Sequence, residues 1–186
     1  MEPYNMAVNT AAFALAKSIA SPALTSVMAS LSESFLLVLP LLAIYMFARR
    51  DKNVYTFVVA VVLFYIISDA IKYIVREPRP CSVPELSWIN AAGCESSYSF
   101  PSNHATVLTG LPAFLGRYRY VRLLYVVWLL LVLFGRVYLG AHYLTDVIAG
   151  VLISIIFAYI LYRYRNKINS LANKIVGKII PFLSIK

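Results

Sequence analysis

The chain has 186 residues, of which 61% are hydrophobic and 13% are charged, and its mean hydropathy is +0.75. Soluble domains carry roughly a quarter charged residues, so this composition excludes an ordinary soluble domain and favours a single membrane-embedded domain, 1–186. The net charge of +9 does not indicate a nucleic-acid-binding protein, because most basic residues lie between or after long apolar runs, as in cytoplasmic segments of membrane proteins. These basic clusters are 49–52, 117–122 and 163–186.

Apolar runs in the sequence predict an all-α integral membrane bundle of five to six transmembrane helices. Most of the runs approach the ~20 residues that a crossing needs, and the third is the shortest. Placing the basic clusters in the cytoplasm makes the first, third and fifth crossings run inward. The five runs are 34–48, 54–75, 105–115, 121–139 and 143–162.

The segments on either side of the predicted catalytic core, 32–165, leave alternatives open. Residues 5–31 are apolar but interrupted by Lys17 and Pro22, so they predict either a helix in the outer interface or a sixth crossing. The basic tail, 166–186, is placed in the cytoplasm. Its spacing fits a helix on the anionic inner leaflet, and a partly disordered tail fits equally well.

This topology brings residues that are costly in a membrane to one depth, at the outer ends of the predicted crossings. Each of them alone could be a snorkelling or satisfied side chain. Together they indicate one shared polar pocket, because ionisable residues in membrane segments usually line a functional cavity. The residues are Lys72, Arg79, Ser102, His104, Arg136, His142 and Asp146.

The backbone around this predicted pocket suits an anion. Pro78 and Pro80 keep Arg79 out of a helix and let its side chain project. Ser102 is a good N-cap for the helix that follows, and a helix N-terminus attracts phosphate through free N–H groups and its dipole. Phosphate, sulfate or a carboxylate would all fit such a site.

The histidines favour catalysis over binding alone. His142 and Asp146 are four residues apart and share a helix face, so the carboxylate can hold the imidazole ready for nucleophilic attack. His104 is placed to give a proton to a leaving oxygen, and three cations would stabilise a five-coordinate phosphorus. A divalent metal is the competing use of these residues, but the surrounding cations make it a poor fit.

Three blocks of the sequence resemble the type 2 phosphatidic acid phosphatase superfamily. Lys72 to Pro80 reads K-x6-R-P, Pro101 to His104 reads P-S-N-H, and Arg136 to Asp146 reads R-x5-H-x3-D. The family blocks are K-x6-R-P, P-S-G-H and S-R-x5-H-x3-D. The order of the blocks, the spacing within them and their membrane setting all agree with the family pattern over residues 72–146.

The resemblance implies a metal-free phosphatase with no cofactor, in which a histidine becomes phosphorylated. It implies His142 as the nucleophile, Asp146 as the residue that orients it, and His104 as the general acid. It also implies phosphate binding by four side chains, and we expect the backbone of Asn103, which replaces the family glycine, to keep its part in that binding. The four are Lys72, Arg79, Ser102 and Arg136.

A second departure from the family is Gly135, where the pattern has serine. This change removes a supporting hydroxyl but no catalytic group. We expect both departures to affect substrate preference rather than activity.

The expected substrate is a lipid phosphate, and the partner is the bilayer itself. The short loops resemble small undecaprenyl or dolichyl diphosphate phosphatases, which implies cleavage of a polyprenyl diphosphate outside the cell during carrier-lipid recycling. Phosphatidic acid, phosphatidylglycerol phosphate and diacylglycerol diphosphate remain alternatives. A non-catalytic lipid or anion binder, or a transporter, is the alternative of another class. Oligomeric state is left open.

The sequence contains two cysteines, Cys81 and Cys94, both in the predicted outer loop. A disulfide is permitted outside the cell. Two free thiols are the alternative.

Overall fold

The computed structural model describes residues 6–83, 94–180 and 185. Within these ranges the chain is helical and contains no strand, which confirms the predicted all-α class. Two short 3-10 turns, Pro80–Ser82 and Leu111–Phe114, interrupt the helices. The helices are α1 (Ala7–Ser18), α2 (Pro22–Glu33), α3 (Phe35–Ala48), α4 (Asn53–Val75), α5 (Asn103–Leu108), α6 (Arg119–Tyr138) and α7 (Leu144–Ile179).

Membrane spans can be assigned by length and apolarity. Among the described residues α4, α6 and α7 each qualify alone. Helices α2 and α3 qualify together as one broken span, bent by 41° at their junction. The described part of the chain therefore contains three or four candidate spans. The protein is a multi-pass membrane protein.

The third apolar run, predicted as a crossing, is not a continuous helix. It forms the six-residue α5, then Gly110 and the turn Leu111–Phe114. The side chains of Leu108, Leu111 and Phe114 are buried, so this run is apolar because protein surrounds it. Irregular backbone is tolerated at membrane depth when other helices enclose it.

The N-terminal segment forms two helices of twelve residues each, α1 and α2. At 1.5 Å per residue α1 is about 18 Å long, which is too short for a hydrocarbon core of ~30 Å. The amide of buried Asn9 bonds to both the backbone N–H and the hydroxyl of Thr145, at 3.2 and 3.1 Å. Helix α1 is therefore fixed to the first turn of α7, and an interfacial position for it stays a prediction.

Helix α7 continues through most of the predicted tail as one helix of 36 residues. Its length, about 54 Å, exceeds the ~30 Å of the hydrocarbon core, so the helix is longer than one crossing needs. Buried Asn169 accepts hydrogen bonds from the N–H and hydroxyl of Thr56 at 3.0 and 2.6 Å. These contacts with α4 hold the extension against the bundle. The tail is therefore helical as far as Ile179 and continuous with α7, and its position on the inner leaflet stays a prediction.

Close packing of α5 against α7 sets the position of the second sequence block. A Cβ added to Gly150 would lie 2.7 Å from the Cβ of Ala105 and 3.0 Å from the carbonyl oxygen of Ser102. Only glycine allows α7 to approach the start of α5 this closely.

Candidate active site

All three sequence blocks meet at one end of the bundle. Lys72 lies in the last turn of α4 and Arg79 follows that helix, while Arg136 lies in the last turn of α6. The structure thus brings together the side chains that the topology argument placed at one depth. Those at least nine-tenths buried are Lys72, Arg79, Ser102, Arg136, His142 and Asp146.

His142 and Asp146 form the predicted pair at the start of α7. The Nδ1 atom of His142 lies 3.5 Å from Oδ2 of Asp146, which is longer than a normal hydrogen bond. The same Oδ2 accepts bonds from the backbone N–H of Tyr143, at 2.9 Å, and from the hydroxyl of Ser99. The carboxylate is therefore fixed on the Nδ1 side of the imidazole, and the Nε2 atom points away from it.

The surroundings of His142 favour its neutral form. Burial lowers the pKa of His142 well below its usual range, and the positive charges of Arg136, Arg79 and Lys72 lower it further. Its Nε2 atom is 3.4 Å from Nη1 of Arg79. A neutral imidazole whose Nε2 lies among cations has the lone pair that a nucleophile needs, in a position where an anion would also be held.

Glu95 joins two of the predicted phosphate-binding residues, a contact that the sequence did not indicate. Its Oε2 accepts from Nη2 of Arg79 at 2.6 Å, and its Oε1 accepts from Nη2 of Arg136. Burial raises the pKa of Glu95, but the two guanidinium charges outweigh burial and hold that pKa below its ordinary value. A carboxylate on two arginines occupies the kind of position that a phosphate would take.

Lys72 is buried to 1% exposure but does not reach Glu95 in this arrangement. Its Nζ donates to the carbonyl oxygens of Tyr98 and Ser99, at 2.6 and 3.1 Å. An ammonium has three donors, so one remains for a ligand. The short segment before Pro101 therefore holds both Lys72 and, through Ser99, Asp146. In the sequence, the only sign that this segment belongs to the site was its position just before the second block.

The start of α5, where the sequence predicts part of the anion site, is a short helix with one N–H already directed at its own cap. This helix has six residues, so its dipole is small, and the N–H of Ala105 already points to the hydroxyl of Ser102 at 3.5 Å. Asn103 accepts a 2.6 Å hydrogen bond from Ser68 through its side-chain oxygen. The cationic side chains therefore supply most of the attraction for an anion.

His104 makes two contacts with the junction of α2 and α3. Its Nε2 lies 3.1 Å from the carbonyl oxygen of Ser32, and its ring packs edge-to-face on Phe35 with centroids 4.8 Å apart. Because a carbonyl oxygen only accepts, Nε2 carries a hydrogen. The proton that His104 exchanges with a ligand is then the one on Nδ1.

A cavity of about 340 Å³ links this polar cluster to the apolar face of the bundle. Arg79, His104 and His142 line one part of it. Residues of α3, α4 and α5 line the rest, and those on α4 include side chains half exposed on the outer surface of the bundle. The apolar lining residues are Phe35, Leu39, Val61, Val62, Tyr65, Ile66, Val107 and Leu108.

Cys81 and Cys94 form a disulfide in the structure, with Cα atoms 5.7 Å apart. The bond joins the turn after Arg79 to the residue before Glu95. It therefore lies beside the anion site.

Comparison with known proteins supports the family resemblance of the three sequence blocks. The PAP2 superfamily pattern matches residues 53–170. Mouse sphingosine-1-phosphate phosphatase 1 is 34% identical over 110 residues, covering 54% of this chain but only 25% of that protein. Undecaprenyl-diphosphatase BcrC of Bacillus subtilis is 25% identical over 139 residues, covering 73% of this chain and 71% of that protein.

A solved structure extends the similarity to the fold. The PAP2-type phosphatidylglycerolphosphate phosphatase of Bacillus subtilis superposes with a TM-score of 0.67 at 26% identity, covering 88% of this chain and 89% of that one. From the family pattern, the fold and the convergence of the blocks, we conclude that the chain belongs to the PAP2 superfamily.

Proposed function

We propose that the protein hydrolyses the terminal phosphate of a membrane lipid phosphate through a phosphohistidine at His142. The observation that carries this proposal is the cavity that begins at Arg79, His104 and His142 and continues along the apolar residues of α3 and α4. A phosphate at the polar end would leave its lipid chain in the apolar part. The half-exposed α4 residues offer a route from the bilayer into the site.

The first chemical step uses both histidines. The Nε2 atom of His142 attacks the phosphorus, forming an N–P bond while the P–O bond to the lipid breaks. His104 enters this step protonated on both ring nitrogens, a state that the anionic phosphate beside it favours, and it gives the proton on Nδ1 to the departing oxygen. Arg79 and Arg136, released from Glu95, stabilise the charge on the phosphoryl oxygens together with Lys72, and Asp146 stabilises the proton on Nδ1 of His142.

The second step returns the enzyme to its starting state. A water molecule gives a proton to His104, and the water oxygen attacks phosphorus as the N–P bond to His142 breaks. Free phosphate leaves, and both histidines regain their original protonation. No metal enters either step, in line with the resemblance drawn from the sequence blocks.

Among lipid substrates, a polyprenyl diphosphate is the primary assignment. The support is the undecaprenyl-diphosphatase relative, which matches most of both chains. A lipid monoester is the second candidate, supported by the sphingosine-1-phosphate phosphatase and phosphatidylglycerolphosphate phosphatase matches. The basic residues of the extended α7 favour a cytoplasmic tail and hence an active site facing outside.

The test is phosphate release by the detergent-purified protein from a panel of lipids with EDTA present. Undecaprenyl diphosphate, phosphatidic acid, phosphatidylglycerol phosphate and sphingosine-1-phosphate form the panel, and His142→Ala is the matched inactive variant. Release that survives EDTA, vanishes in the variant and is fastest with the diphosphate supports the proposal. Tight binding without release of phosphate from any lipid would favour the binder or transporter instead.

A further inference from the structure

We propose that Ser32 of α2 is a positioning residue for the active site and supplies the hydroxyl that the third sequence block lacks at Gly135. The inference rests on the proposed function of the same site. It concerns how Arg136 is held when it binds phosphate.

The first observation is the space beside Gly135. A Cβ added there would lie 3.4 Å from the hydroxyl oxygen of Ser32 and 3.5 Å from the carbonyl oxygen of Met28. A side chain at this position would therefore point directly at Ser32. The missing hydroxyl of α6 is matched by one that α2 places at nearly the same location.

The second observation concerns two buried polar atoms that have no partner among the described residues. They are the hydroxyl of Ser32, which is 1% exposed, and the Nε of Arg136. An arginine Nε–H only donates, and a hydroxyl can accept. Ser32 and Arg136 line the same cavity of about 170 Å³, together with Glu33 and Glu95. The two atoms are complementary, and the residues that carry them line one cavity.

The third observation ties the same residue to His104. The carbonyl of Ser32 lies near the end of α2, where backbone carbonyls lack partners within the helix, and it contacts Nε2 of His104 at 3.1 Å. Ser32 therefore contacts the proposed general acid through its backbone and adjoins a phosphate-binding arginine through its side chain.

These contacts assign a role to Ser32 during the reaction. In the present arrangement Nη2 of Arg136 is held by Glu95. When Arg136 turns to phosphate, the Ser32 hydroxyl accepts a hydrogen bond from its Nε, directly or through one water in the cavity. The bond orients the guanidinium, and no covalent step involves Ser32.

The test compares Ser32→Ala, Gly135→Ser and the double variant S32A/G135S. Vanadate, which mimics five-coordinate phosphorus, is titrated by the rise in melting temperature that it produces, and lipid turnover is measured in parallel. Ser32→Ala should weaken vanadate binding and lower kcat about tenfold, since bonds to charged groups are stronger than neutral ones. Its KM should not fall. Its melting temperature without ligand should not fall either, because a buried hydroxyl without a partner contributes nothing to the stability of the fold.

The double variant should regain most of the lost affinity and turnover, since Gly135→Ser returns a hydroxyl close to the position that the Ser32 hydroxyl occupied. Ser34→Ala is the matched control. Its hydroxyl bonds to the carbonyl of Leu31 and the indole of Trp128, at 2.6 and 2.8 Å. That variant should lower the melting temperature and leave vanadate affinity unchanged.

Wild-type vanadate affinity and turnover in Ser32→Ala would overturn the proposal. So would a loss that accompanies a lower melting temperature and is not restored by Gly135→Ser, since that pattern indicates packing alone. If the wild type binds vanadate but hydrolyses no lipid, the proposed function fails, while the vanadate titrations still decide the role of Ser32.

Discussion

Glu95 accepts a hydrogen bond of 2.6 Å from Arg79, and its other carboxylate oxygen accepts from Arg136. A phosphate that binds these arginines has to displace Glu95. The carboxylate remains ionised at neutral pH, because the arginine charges lower its pKa. It therefore competes with phosphate throughout the neutral range.

Removing this competing charge should strengthen anion binding. We expect Glu95→Gln to bind vanadate about tenfold more tightly than the wild type at neutral pH, since charge-assisted bonds are roughly twice as strong as neutral ones. Thermal-shift titration measures the affinity. The difference should shrink as pH falls through the lowered pKa of Glu95, because the wild-type carboxyl then becomes neutral.

Glu33→Gln is the control for Glu95→Gln. Glu33 is exposed and lines the same cavity of about 170 Å³, but among the described residues it forms no ion pair. Its variant should bind vanadate as the wild type does. Weaker vanadate binding by Glu95→Gln would mean that Glu95 assists the ligand instead of competing with it.

The carboxylate of Asp146 should matter through the tautomer of His142. In Asp146→Asn the side chain can present its amide N–H to Nδ1, which moves the imidazole proton to Nε2 and removes the nucleophilic lone pair. We expect kcat to fall by more than about a hundredfold with little change in KM. A Ser99→Ala variant, which leaves the carboxylate in place, should lose far less, and equal losses in the two variants would argue against this role.

Close packing at Gly150 provides a prediction about stability. Gly150→Ala places a methyl group 2.7 Å from Ala105, and overpacking of this kind costs about 1–3 kcal/mol. The melting temperature and phosphate release should both fall, because the start of α5 carries Ser102 and His104. Gly116→Ala is the control, since nothing lies within 4 Å of a Cβ added there. Equal melting temperatures of the two variants would show that α5 can shift to make room for the added methyl group.

Access through the apolar cavity can be tested with a bulky residue. Val62 lines the cavity and is about half exposed on α4. Val62→Trp should lower kcat/KM for a lipid phosphate about tenfold or more while sparing a small water-soluble phosphate monoester, because only the lipid needs the apolar part. Leu130→Trp, on the exposed face of α6, should change neither rate. Equal losses for both substrates in Val62→Trp would mean that the tryptophan disturbs the polar end.

The meeting of the three blocks could be predicted because crossings that alternate in direction return their ends to the same depth. Lys72, Arg136 and His142 needed only helix boundaries and the basic clusters to be placed together. The third apolar run could not be assigned in this way. Hydropathy does not distinguish a helix facing lipid from a segment enclosed by protein, and Leu108 and Leu111 are of the second kind.

Contacts between distant segments account for what the sequence did not indicate. The extension of α7 is held by Asn169 and Thr56, which are 113 residues apart. Glu95 lies 41 residues from Arg136 and has no periodic pattern around it. One hint was available, namely that three cations predicted to share a pocket call for an anion nearby.

The most direct test is to look for phosphate bound to His142 itself. A radiolabelled lipid phosphate, mixed with the protein in EDTA and quenched rapidly in alkali, should leave label on a peptide that contains His142, because phosphohistidine survives base and is lost in acid. His142→Ala should carry no label. Label that is absent from the wild type while phosphate is still released, or release that stops when EDTA is added, would contradict the histidine mechanism.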